Sequence, residues 1–143
     1  MSSEPSPFAD SAPFIDTHCH LAWEECVPGD FIEGAVDNVF CCLAARRPDI
    51  DRDTVSKRAR EALQDPMGDE LIAFMQSSGI RQSWILVPDL TYALRPSRLT
   101  IEELLLHHRL VAERHRGKFL LFAGVDPRWG SDGIALRRRT GAL

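Results

Sequence analysis

The sequence predicts an α/β protein whose parallel strands are joined by helices. Three observations predict it. Segments of strand length stand at 13–20, where Phe14-Ile15 lead into Asp16-x-His18-x-His20, and as apolar runs at 83–88 and 119–125. The segments between them carry apolar residues at helical spacing. The order strand, helices, strand, helix, strand then calls for right-handed parallel crossovers.

The first strand runs from Pro13 to His20, and a loop from Leu21 to Gly29 follows it. Asp30 is the expected N-cap of the first helix, with Glu33 completing a capping box. Ile32, Val36, Val39, Phe40 and Leu43 form its apolar face, with Ala35 beside them. Arg46-Arg47-Pro48 ends it. Asp53 or Thr54 is expected to cap a second helix carrying Val55, Ala59, Ala62 and Leu63, which Pro66 and Gly68 break. Asp69 begins a short helix with Leu71, Ile72, Phe74 and Met75 inward, and Gly79 is its natural stop. Ser83 to Pro88 is a continuous apolar run, the pattern of a strand buried on both faces. Thr100 and Glu103 form a capping box for a helix through Leu104, Leu105, His108, Val111 and Ala112, stopped by Gly117. Phe119 to Val125 is the third buried strand, ending at Asp126-Pro127.

A chain of 143 residues is one domain or part of one. The segment 1–12 is rich in Ser and Pro and acidic, so it reads as a disordered leader and not a secretory signal. A folded α/β segment follows over 13–130. The tail at 131–143 is atypical, with Arg137-Arg138-Arg139 and little apolar content. A net charge of −4 argues against nucleic-acid binding, and no apolar run reaches the length of a membrane span. The four cysteines, Cys19, Cys26, Cys41 and Cys42, lack disulfide-scaffold spacing. They suit reduced thiols in a cytoplasmic protein.

Chemistry concentrates in Asp16-Thr17-His18-Cys19-His20. Strand periodicity is two, so His18 and His20 point to one side and can grip one metal ion. Asp16 is the candidate carboxylate supporting them. Trp23, on the loop above, is placed either to line a substrate pocket or to pack the loop down. Asp89 and Asp126 follow strands and read as turn residues. Arg128 reads as an exposed arginine. His107, His108 and His115 fall on the helix before the third strand. A cysteine cluster of Cys26, Cys41 and Cys42 has poor zinc-site spacing.

The segment Phe14 to His20 resembles the first-strand motif of the amidohydrolase superfamily. Glu70 to Pro88 looks like the helix-then-strand unit by which members of the amidohydrolase 2 family enter strand 2. Ala112 to Pro127 is similar to the same family's entry into strand 3. This branch includes aminocarboxymuconate-semialdehyde decarboxylase and related hydrolases and decarboxylases. The resemblance implies the first three β/α units of a (β/α)8 barrel, with a divalent metal, most often zinc, at the C-terminal strand ends. His18 and His20 match the first two metal ligands. The family's later ligands, a histidine after strand 5 and an aspartate after strand 8 that also serves as general base, have no counterpart in this sequence.

The implied activity is hydrolysis or decarboxylation of a small organic acid or amide, weak or absent in this chain alone. A second copy covering the open sheet edge is the implied partner. Three alternatives stand beside it: a TatD-type metal-dependent deoxyribonuclease, whose family begins with a similar motif; a non-enzymatic fragment that needs a partner chain; and a small zinc module using the cysteines.

Overall fold

The structure, a computed structural model, describes residues 14–90, 93–94, 98–124, 126, 128, 130–132 and 135. The leader at 1–12, most of the tail at 131–143, Pro13, Val125 and Pro127 lie outside the described residues.

The element order is β1 (Phe14–Cys19), α1 (Gly29–Ala44), α2 (Arg52–Ala62), α3 (Asp69–Ser77), β2 (Ile80–Val87), α4 (Ile101–Arg114) and β3 (Phe119–Ala123). The strands form one parallel sheet in the order β1-β2-β3. The expected α/β class therefore holds, with strands adjacent in space in their chain order. β2 and β3 pair in unbroken register from Ser83 with Phe119 to Val87 with Ala123. β1 is irregular: Asp16 pairs with Ser83 and Cys19 with Ile85, so three steps on β1 match two on β2.

One sheet face is buried and the other is not. Ile85, Val87 and Phe119 pack with Met75 of α3 and with Leu104, Leu105 and Val111 of α4. The opposite face carries Trp84 and Leu86 of β2 beside Leu120 and Phe122 of β3, which are 46% and 41% exposed. The expectation of strands buried on both faces is thus corrected. Both helices that cover the sheet lie on the Ile85 side.

Between β1 and β2 the chain makes a helical excursion with a small core of its own. Ile32 and Val36 of α1 meet Val55 of α2, and Phe40, Leu43, Ala59 and Leu63 surround them. Val39 and Ala35 face outward instead of joining this stripe. An ion-pair network ties the excursion together. Glu33 accepts from Arg52 at 2.7 Å and from Arg60 at 2.6 Å, and Arg60 also reaches Glu24 at 2.6 Å. These contacts hold the Glu33 carboxyl below its ordinary pKa, with the Arg52 hydrogen bond as the largest cause.

That network explains one departure from the sequence. Glu33 is engaged by arginines, so the capping box with Asp30 does not form. The N-cap of α1 is Pro28, without a side-chain cap, and Asp30 lies in the first turn. The cap of α2 is Asp51, not Asp53 or Thr54: its carboxylate accepts from the Thr54 N–H at 2.8 Å and the Thr54 hydroxyl at 2.6 Å. In α3, Met75 is buried but Phe74 is 59% exposed, because the sheet takes only the Met75 side. The box of Thr100 and Glu103 forms in full at the head of α4. Gly79 and Gly117 take positive φ, 70° and 78°, where each chain turns from helix to strand.

Candidate functional site

His18 and His20 stand at the C-terminal end of β1, where the sheet opens to solvent. Their rings meet edge to face, with centroids 5.0 Å apart and Nε2 atoms 3.1 Å apart. The structure thus brings the two imidazoles together on one side, despite the irregular register of β1.

The second nitrogen of His20 defines its chemistry. Nδ1 lies 2.8 Å from the carbonyl oxygen of Leu86 on the neighbouring strand. A carbonyl only accepts, so Nδ1 carries the proton, and in the neutral ring Nε2 is left with its lone pair. His18 Nε2–H can then donate to it. The same geometry suits a metal. Two nitrogens about 2.0–2.1 Å from one tetrahedral zinc stand roughly 3.3 Å apart. Taking up an ion would require His18 to move its proton to Nδ1.

Asp16 acts on the main chain of this pair. Its Oδ1 accepts from the His18 N–H at 3.0 Å, which steadies the irregular turn of strand presenting the rings. Cys19 lies half-buried against the core, and burial, followed by the charge of Asp16, raises its thiol pKa.

Trp23 lies in the core. It is 5% exposed, its backbone N–H donates to Cys26 Sγ at 3.2 Å, and its ring lies tilted against that of His107 with centroids 4.3 Å apart. It forms a bridge with Gln64, which locks the loop after β1 to the end of α2. The α4 histidines bind backbone carbonyls. His107 reaches Pro66 O at 2.6 Å and His115 reaches Met67 O at 2.9 Å. His108 is buried, with Nδ1 2.8 Å from Leu104 O and Nε2 3.3 Å from Leu21 O. The neutral ring has one N–H and donates to one of these carbonyls at a time; donation to Leu21 O ties the loop after β1 to α4 one residue beyond His20.

Asp126 accepts from the Arg128 N–H and Nε, both at 2.9 Å, so the two close a turn together. Cys26 is buried while Cys41 and Cys42 are exposed on α1. Among the described residues, no group of three His, Cys, Asp or Glu side chains is arranged to hold a metal ion. The donor set within reach is the histidine pair.

Among the described residues, two cavities that adjoin His20 stand out. One, of about 250 Å³, extends between the loop after β1, the end of β2 and the start of α4. The other, of about 320 Å³, shares His20, Leu21 and Ala22 and reaches Asp65, Glu70 and Phe74. Sequence reasoning singled out His20 but missed these walls, because residues distant in the chain build them.

Compared with protein-family models, with curated proteins and with solved structures, the chain matches none. The structure shows a mixed α/β fold with a three-stranded parallel sheet, and no helix among the described residues is long and apolar enough to cross a membrane.

Proposed function

We propose that this chain carries the first three β/α units of a metal-dependent hydrolase barrel of the amidohydrolase type. His18 and His20 would hold a divalent ion, zinc by preference, for hydrolysis or decarboxylation of a small organic molecule. The observation that carries this reading is the pair of Nε2 atoms 3.1 Å apart at the C-terminal end of a parallel strand, with His20 Nδ1 held by Leu86 O. A catalytic centre at the C-terminal strand ends is where such barrels place their chemistry.

A bound ion would supply an activated water, its pKa lowered toward about 7. The chain's own residues do the positioning. Leu86 O fixes the tautomer and ring direction of His20, and Asp16 fixes the backbone of His18. The apolar face bearing Trp84, Leu86, Leu120 and Phe122 suits the inside of a larger barrel, which further strands would cover. A second copy of the chain is the proposed cover for the open edge. Catalytic zinc normally has three protein ligands, so two imidazoles should bind an ion weakly and turn over little alone.

Zinc titration by calorimetry tests the reading, performed on a Cys41→Ser/Cys42→Ser background so that exposed thiols do not compete. The expected result is one ion per chain, lost in His18→Ala and in His20→Ala. Binding that survives both substitutions would refute it.

A further inference from the structure

We propose that the 250 Å³ cavity beside His20 takes a small, uncharged, apolar group and so sets the substrate class of the histidine site; the link to that site rests on the metal reading above. The wall is the first reason. It includes Leu21 and Ala22 after β1, Val27 and Phe31 around the head of α1, Pro88 after β2 and Leu104 of α4. Apart from His20, His108 and the Cys26 thiol, which accepts from the Trp23 backbone N–H, every described lining side chain is apolar. Among the described residues that line it, no lysine or arginine is there to meet an anion, and no carboxylate to meet a cation.

The two imidazoles add little polarity. Both ring nitrogens of His108 already face carbonyl oxygens, those of Leu104 and Leu21. His20 Nδ1 faces Leu86 O. Among the described side chains of the wall, the nitrogen left to a ligand is His20 Nε2, which is shared with His18. A charged group placed here would lose its hydration and find no counter-charge.

Size is the second reason. A cavity of about 150 Å³ lined by apolar residues takes up benzene, while drug-sized ligands need roughly 300–1,000 Å³. A volume of about 250 Å³ therefore suits one ring, or a branched alkyl group of similar bulk, with a short substituent. The expectation of a small organic acid or amide narrows accordingly to its uncharged member, an amide with an apolar body.

The test compares toluene with benzoate, one ring with and without a charge, by NMR chemical-shift titration of the metal-free protein. Toluene should shift Ala22, Val27 and Leu104 saturably, and benzoate should bind at least tenfold more weakly. Ala22→Phe and Val27→Phe fill the cavity from two different segments, and each should weaken toluene binding at least fivefold while keeping the native circular dichroism spectrum. Equal binding of benzoate would overturn the proposal. So would toluene binding that withstands both filling variants. Zinc added to the same samples separates the two readings. Toluene binding without zinc-induced shifts at His18 and His20 would overturn the link to the metal site while leaving the cavity's preference intact.

Discussion

Replacing Gly124 by alanine should destabilise the fold at the end that presents the histidines. Gly124 follows β3, and its N–H donates to Val87 O at 2.8 Å. A Cβ at this position would lie 2.3 Å from Val87 O and 3.0 Å from Asp89 N. Both are backbone atoms, so no side chain can swing aside. Reaching an ordinary contact distance requires the strands to part by roughly 1 Å. That stretches the 2.8 Å hydrogen bond beyond the usual range of about 2.7–3.2 Å. Losing it costs about 1 kcal/mol, and overpacking costs about 1–3 kcal/mol more. The sum is about 2–4 kcal/mol. With an unfolding entropy of about 2.1 cal/mol/K per residue over 143 residues, Tm should fall by roughly 7–13 °C. Gly34→Ala is the control. Gly34 lies inside α1 with nothing within 4 Å of the added Cβ. The same chemical change there should raise stability by about 0.5–1 kcal/mol, or roughly 2–3 °C. Thermal melts followed by circular dichroism read both. A Gly124→Ala protein that melts with the wild type would refute the close approach of β3 to the end of β2.

Other outcomes follow from the packing around the site. Burial holds His108 below its ordinary pKa of 6.5, so the unfolded chain binds more protons, and stability should fall as pH drops from about 6.5 through the folded value. His108→Gln should flatten that slope in denaturant titrations at stepped pH; an unchanged slope would count against it. Trp23→Ala removes a buried ring that joins the β1 loop to α4 and should cost about 3–5 kcal/mol, measured by urea unfolding. Thiol reagents should modify Cys41 and Cys42 quickly and Cys19 and Cys26 slowly, because burial raises the latter two thiols. Rapid loss of Cys26 in a peptide map would contradict its place in the core.

Much of this fold was legible in the sequence because its signals are local. The capping box of Thr100 and Glu103, the stop glycines Gly79 and Gly117, and the apolar runs of β2 and β3 depend on neighbours within a few residues. The failures fall where partners distant in the chain decide. Glu33 suits a capping box by spacing, but Arg52 and Arg60, 19 and 27 residues on, claim its carboxylate. Phe74 fits the helical stripe, yet the sheet meets α3 along its Met75 side. Phe119 to Ala123 is apolar at every position, so periodicity gave no sign that one face would remain open. The histidine pair was readable from spacing alone. The Leu86 carbonyl that fixes the His20 tautomer was not, since it belongs to another strand, 66 residues away. The cavity beside His20 was equally hidden, because the first loop, β2 and α4 build it jointly.

The most direct test of the central claim is a long-range ¹H–¹⁵N correlation spectrum of the imidazoles, recorded before and after adding zinc to the Cys41→Ser/Cys42→Ser protein. His20 should be the Nδ1–H tautomer without metal, and zinc should then shift Nε2 of both His18 and His20. An Nε2–H tautomer of His20, or zinc shifts confined to other histidines, would contradict it.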